Sequence, residues 1–192
     1  MPGATSPSRI PLFPLDEMSE AQRHVYDAIV AGPRGVVVGP LRAALHQPEL
    51  ADKWQQLGEL LRYRTSLPPR LSELAILVTA RFWDAQLEWH AHAPAALKGG
   101  LDPAAVESIR NGREPVFPNQ DEAAVYQYVR ELHTLHDVRD DTYRKAHELL
   151  GTVAIVELTA LVGYYTMVAM TLNAHHIPLP GNAVPPLKVG TE

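Results

Sequence analysis

The run VAIVELTALVGYYTMVAMTL, residues 153–172, is apolar around nearly the whole circumference of a helical projection. A helix of this kind has to be covered, either by the rest of its own fold or by lipid. It is about long enough to cross a bilayer. Glu157, Gly163 and the threonines at 159, 166 and 171 interrupt it, and a carboxylate without a partner is costly in lipid. The expectation is therefore a central buried helix in a chain that does not enter the membrane.

The remaining sequence supplies helices to surround it. No stretch alternates apolar and polar residues for long enough to make a convincing strand. Ser19 with Gln22 forms a capping box that opens a helix to about residue 30. Glycine and proline punctuate a loop over 31–40, where Val36, Val37 and Val38 either form a short strand or tuck against the domain. A short helix over 40–47 precedes one that starts at Pro48 and runs through Trp54, Leu57, Leu60 and Leu61. The break TSLPP leads into RLSELAILVTARF, apolar on most sides. Asp84 is the expected N-cap of the next helix, which ends at Gly99 and Gly100. Asp102-Pro103 starts a helix to about 110, and Asn119 with Glu122 caps another to about 136. Two more follow, over 141–150 and 152–175. The fold class is all-α: an N-terminal arm (1–15), one helical domain (16–176) and a proline-rich tail (177–192).

Bulk properties narrow the function. A chain of 192 residues with 46% hydrophobic content can bury a substantial core in one domain. Its net charge of −5 comes from interspersed charges, with no basic block of the kind nucleic-acid binding needs. There is no cysteine, which removes disulfides, thiolate metal sites and cysteine nucleophiles. The first residues lack the apolar segment of a signal peptide, so a cytoplasmic location is expected.

The chemistry concentrates in EWHAH, residues 88–92. Residues four apart share a helical face, so Glu88 and His92 are neighbours, whereas His90 points elsewhere. A short connection after Phe82 should fold this helix antiparallel to the preceding one, bringing Glu73 toward His92. A carboxylate beside an imidazole fixes the ring tautomer and raises its basicity, forming a proton-transfer unit. The same residues also admit plainer readings. Glu73 suits a first helical turn, and Glu88 with His92 can be a surface pair. His90, His92, His133, His136, His175 and His176 have no combined spacing that dictates a ligand set, so no metal site is expected.

Residues 72–112, SELAILVTARFWDAQLEWHAHAPAALKGGLDPAAVESIRNG, resemble the core of the carboxymuconolactone decarboxylase and alkylhydroperoxidase-D-like superfamily. VELTALVGYYTMVAMTLNAHHIPLP, residues 156–180, resembles the closing helix of its longer members. The resemblance implies a compact multi-helix bundle of the alkylhydroperoxidase-D-like type. In the peroxidase branch a glutamate, a Cys-x-x-Cys pair and a histidine form the redox centre. Glu73 and His92 match the first and last, but Ala85 and Glu88 stand at the cysteine positions, so disulfide-based peroxidase chemistry is not available. The decarboxylase branch works without cysteine here and often carries a His-x-His, as His90 and His92 do. That resemblance implies a lyase releasing CO2 from a carboxylated lactone without a cofactor, because the lactone itself holds the electrons. It casts His92 as general acid/base, Glu73 as its orienting partner, and Glu88 as a second proton carrier or pocket wall. His90 would be a donor to the substrate, and Arg81 or Arg34 would hold a substrate carboxylate. The alternative for Arg81 is a pair with Glu157 in the core. Other readings are an isomerase or hydrolase on a related substrate, or a helical binding protein. The family habit also implies a homo-oligomer, a trimer or hexamer, with a small molecule as the other partner.

Overall fold

The computed structural model describes residues 8–181 and 183–188. Part of the expected N-terminal arm (1–7) and parts of the expected tail (182 and 189–192) lie outside the described residues. Within the described residues there are eight α-helices and no strand. They are α1 (Glu20–Ala31), α2 (Pro40–Ala44), α3 (Pro48–Tyr63), α4 (Pro69–Phe82), α5 (Gln86–Lys98), α6 (Pro103–Arg110), α7 (Gln120–Leu135) and α8 (Asp140–His175).

Several helix starts follow directly from local sequence. Ser19 and Gln22 form the capping box of α1, and the Gln22 side chain also donates to the Leu45 carbonyl at 3.0 Å, tying α1 to the end of α2. Proline occupies the first turn of α2, α3, α4 and α6, where its missing N–H costs nothing. Asp102 accepts from the Ala104 amide at 2.7 Å and caps α6.

Two expected caps are not made. Asp84 does not cap α5. It lies in the turn at a left-handed φ of 49° and pairs with Arg81, leaving Ala85 at the N-cap position. Asn119 makes no side-chain cap on α7, and Glu122 does not reach back to it. Glu122 turns inward instead, where Arg70 of α4 pairs with it at 2.6 Å and with Asp121 at 2.7 Å. The half-buried Arg70 guanidinium outcompetes the local capping geometry for Glu122.

The centre of the bundle is α4, not α8. Nine α4 residues, Leu71, Ser72 and Leu74–Ala80, are buried, and the helix packs against α5, α6, α7 and α8. Helix α8 passes across it with one face only. Ala154, Ile155, Leu158, Leu161, Val162, Tyr164, Tyr165, Val168, Ala169 and Leu172 face inward, while Val153, Val156 and Met170 are exposed. Helix α8 is long and apolar enough to cross a membrane by length and composition, yet half of its most apolar window is buried inside the fold. The two helices expected over 141–150 and 152–175 are present as the arms of α8, which kinks at Gly151. There φ is +79° and ψ 168°, a conformation that essentially only glycine adopts.

In the loop after α1 only Val37 of the three valines is buried, and no strand forms. Residues 177–181 and 183–188 contain no helix. They are held by paired bonds to Gln86, whose amide donates to the Leu187 carbonyl at 3.1 Å and accepts from the Leu187 amide at 2.9 Å.

His133 of α7 is buried against α4, hydrogen-bonded to the Thr79 hydroxyl at 3.1 Å and stacked on Phe82 at 4.6 Å. Thr79 already donates to the Ala75 carbonyl, so its oxygen accepts from His133 Nε2–H. Burial lowers the His133 pKa to about 4. An unfolded chain binds this proton near pH 6.5, so stability should fall as pH drops through the window from about 6.5 to 4. Urea midpoints at pH 7.5 and 4.5 should therefore drop further in the native chain than in His133→Gln.

Candidate active site

Helices α4 and α5 run antiparallel through the tight turn at Trp83–Ala85. That turn sets an early residue of α4 beside a later residue of α5. Glu73 Oε2 and His92 Nδ1 lie 2.7 Å apart. With Glu73 accepting, Nδ1 carries the proton and Nε2 keeps its lone pair. The Tyr165 ring meets the imidazole edge-on at 5.0 Å and fixes its orientation. His92 is buried, and this desolvation lowers its pKa; Glu73 opposes the shift, while Arg62 and Arg34 add to it. Burial therefore keeps a neutral ring, and hence a base, in place.

One turn earlier on the same face, Glu88 is 2% exposed and neither carboxyl oxygen has a hydrogen-bond partner. Burial raises its pKa well above the usual carboxylate range, which favours the protonated acid. Glu88 and His92 line one pocket of about 110 Å³, closed by Arg34, Arg62, Tyr164, Tyr165, Leu87 and Leu172 among others. Two guanidiniums, against the single carboxylate of Glu73 hydrogen-bonded to His92 nearby, make the pocket attractive to an anion.

Arg34 reaches the pocket from the loop between α1 and α2, and its Nη2 lies 3.3 Å from the Tyr164 hydroxyl. The close approach depends on Gly58 of α3. A Cβ there would fall 2.0 Å from the Tyr164 oxygen and 2.2 Å from Arg34 Nη2. Burial raises the pKa of Tyr164, with Arg34 acting in the opposite sense, so the phenol keeps its proton to donate.

The structure thus gathers Glu73, Glu88, His92 and Arg34. It does not gather the other two candidates. His90 is not among the residues lining the pocket, since two positions along a helix turn a side chain away from both Glu88 and His92. Arg81 is also outside it. It pairs with Asp84 and reaches toward Gly112. Nor does it meet Glu157, which accepts from the Ser66 amide at 2.8 Å and the Ser66 hydroxyl at 2.5 Å. The residues that sequence reasoning missed are Arg62, Tyr164 and Tyr165. Arg62 sits in the last turn of α3, where a basic residue is unremarkable, and the tyrosines read as packing in an apolar run. Among the described residues no group of three or more histidine, aspartate or glutamate side chains is placed to hold a metal ion.

Residues 48–131 match the model of the carboxymuconolactone decarboxylase family. This segment contains α3 to α6 and most of α7, and with them Glu73, Glu88 and His92. Over that segment, 84 of the 192 residues, the chain resembles the carboxymuconolactone decarboxylase family, and it contains no cysteine. Its fold is shared with solved structures. One is an uncharacterized peroxidase-related protein with an AhpD core from Ralstonia eutropha (14% identity, TM-score 0.71, covering 90% of this chain and 92% of that one). Another is a peroxidase-related protein from Silicibacter (14% identity, TM-score 0.70, 90% and 92% covered). A third, from Agrobacterium tumefaciens, is of unknown function and described as an AhpD-type antioxidant-defence protein (16% identity, TM-score 0.65, 73% and 97% covered). At these identities the likeness speaks for the fold alone. No curated protein matches the chain significantly.

The state of Glu88 has a thermodynamic signature. The unfolded chain loses this proton near pH 4.3, while burial favours its retention in the native chain. Above that pH the unfolded state binds fewer protons, so stability declines as pH rises toward the raised native value. Glu88→Gln mimics the neutral acid and cannot ionise. It should gain stability relative to the native chain between pH 4.5 and pH 8, read as a growing gap in urea midpoint. A constant gap would mean that Glu88 is ionised in the folded protein.

Proposed function

We propose that this protein is a cofactor-independent lyase of the carboxymuconolactone decarboxylase type, acting on a carboxylated lactone or a related acid. The observation that carries the reading is the pairing, in one small pocket, of an imidazole held neutral beside Glu73 with a carboxyl group favoured in its protonated form at Glu88. Environments that push two groups apart in this way separate a base from an acid at one pH.

In this scheme Arg34 and Arg62 hold the anionic substrate, and the Tyr164 hydroxyl assists as donor. The C–CO2 bond breaks, its electron pair moves into the conjugated lactone carbonyl, and CO2 leaves. The positive groups stabilise the oxygen on which charge develops. Glu88 then gives its proton to carbon, completing the enol-lactone. His92 Nε2 takes a proton from solvent and returns it to Glu88, with Glu73 stabilising the imidazolium. Desolvation of the pocket favours loss of charge from the substrate carboxylate.

A second reading is isomerisation of a related lactone. It is favoured by the same acid–base pair, since His92 can remove a proton and Glu88 deliver one without any loss of CO2. Turnover of 4-carboxymuconolactone by the purified protein, followed by CO2 release, decides between them. Decarboxylation should fall by about 10²–10⁴ in His92→Asn and in Glu88→Gln, the range for losing a positioned proton-transfer group. Unchanged secondary structure would assign that loss to chemistry. Proton exchange into a lactone without CO2 release would favour the isomerase.

We further propose that the protein works in the cytoplasm as a homo-oligomer, a trimer or hexamer. The exposed Val153, Val156 and Met170 on the outer face of α8 support self-association, because exposed apolar side chains on one helix face are better covered than left in water. Sedimentation velocity should give a species of three or six chains, and Val156→Glu should shift it toward monomer.

A further inference from the structure

The inner pocket is small for a metabolite site, at about 110 Å³ against the roughly 300–1,000 Å³ usual for small-molecule pockets. It has a neighbour. An outer chamber of about 360 Å³ is lined by Gln86, Leu87, Leu172, Asn173, Ile177 and Pro185 among others. Leu87 and Leu172 line both spaces. Gly39, at a left-handed φ of 57°, sits at the same junction. A Cβ on it would lie 3.8 Å from Leu87 Cδ2 and 3.9 Å from Leu172 Cδ2. Two aliphatic side chains, with the bare backbone of Gly39 beside them, are thus all that the two spaces share as a boundary.

The outer wall of the chamber is formed by Ile177, Pro178, Leu179 and Pro185 of the C-terminal tail. Its anchor is the reciprocal pair of hydrogen bonds between the Gln86 side chain and the Leu187 backbone. Leu187 is 4% exposed and belongs to the main hydrophobic core. Ile177, where the chain leaves α8, is buried as well. Asn173 donates to the Trp83 carbonyl at 2.6 Å and pins the end of α8 to the turn that opens α5. A proline-rich segment without helix is thus folded back over the first turn of the helix that carries Glu88 and His92. Its walls are mainly aliphatic and prolyl.

We propose that this outer chamber is a second subsite, and that the ligand is an elongated acid. Its anionic head lies between Arg34, Arg62 and Glu88, and an apolar extension of several carbons passes Leu87 and Leu172 to lie under the tail. The tail then sets chain-length preference. The inference rests on reading the inner pocket as an acid site, and the test separates the two.

Binding of straight-chain carboxylates from propanoate to decanoate is measured by calorimetry, beside the matching primary alcohols. Affinity of the native chain should rise about three- to fourfold per added methylene, the increment for burying one CH2. It should level off when the chamber is full. Leu187→Asp detaches the tail. It should flatten the length dependence while leaving short-acid affinity as in the native chain. Gln86→Ala, which removes both anchoring bonds and no core residue, should do the same if Leu187→Asp fails to fold. A length dependence that is flat in acids and alcohols alike, or equally steep in both tail variants, overturns the subsite. A rise in the alcohols without preference for the acids keeps the subsite and removes the acid reading of the inner pocket.

Discussion

Helix α4 has almost no face that water can touch, and the rest of the structure follows from that. Leu74, Ala75, Leu77, Thr79 and Ala80 are fully buried along it. Each leucine taken from water contributes about 1.5–3 kcal/mol, so α5, α6, α7 and α8 all have reason to pack around this one element. Three polar side chains that α4 sends toward neighbouring helices reach partners there, Arg70 pairing with Asp121 and Glu122 of α7. Thr79 meets His133 of α7, and Glu73 meets His92 of α5. A helix sealed on so many sides is a rigid platform, which suits a hydrogen bond that must hold an imidazole in one tautomer.

The pocket beside that bond is an electrostatic compromise. Glu88 faces it unpaired although two guanidiniums line the same space, and desolvation dominates its protonation. Arg70 shows the opposite outcome elsewhere in the fold. There Asp121 and Glu122 close directly on the guanidinium, and Asp121 is pulled below its ordinary range by that hydrogen bond. The same residue types therefore serve as an ion pair at one end of α4 and, at the pocket, as an acid favoured in its neutral form beside arginines with which it makes no hydrogen bond. The difference is contact distance and burial.

The family match over residues 48–131 places these residues in context without deciding their use. Disulfide chemistry is closed to a chain with no cysteine, and Glu88, which the resemblance sets at the second thiol position of the peroxidase branch, is a carboxyl group. A carboxylic acid there retains the capacity to move a proton while losing the capacity to move electrons. The scaffold is kept and the chemistry it can host is altered.

What the sequence determined by itself was local or pairwise. The Ser19–Gln22 box, the prolines opening helices, the Asp102 cap and the shared face of Glu88 and His92 depend on spacing along a few turns, and all were legible. The meeting of Glu73 with His92 was legible too, because a short turn forces its two helices antiparallel. What needed tertiary structure was every choice among competing long-range partners. Hydropathy alone made the 153–172 run look central, yet burial belongs to the helix with most neighbours, and that is α4. Arg81 took Asp84 in place of substrate or Glu157, and Arg70 drew Glu122 away from its cap. Arg34 and Arg62 converge from segments far from EWHAH, and Gly58 leaves room for Arg34 beside Tyr164. Spacing encodes what a helix can offer on one face. Only the packed fold decides which distant charge arrives there, because that depends on the positions of several helices at once.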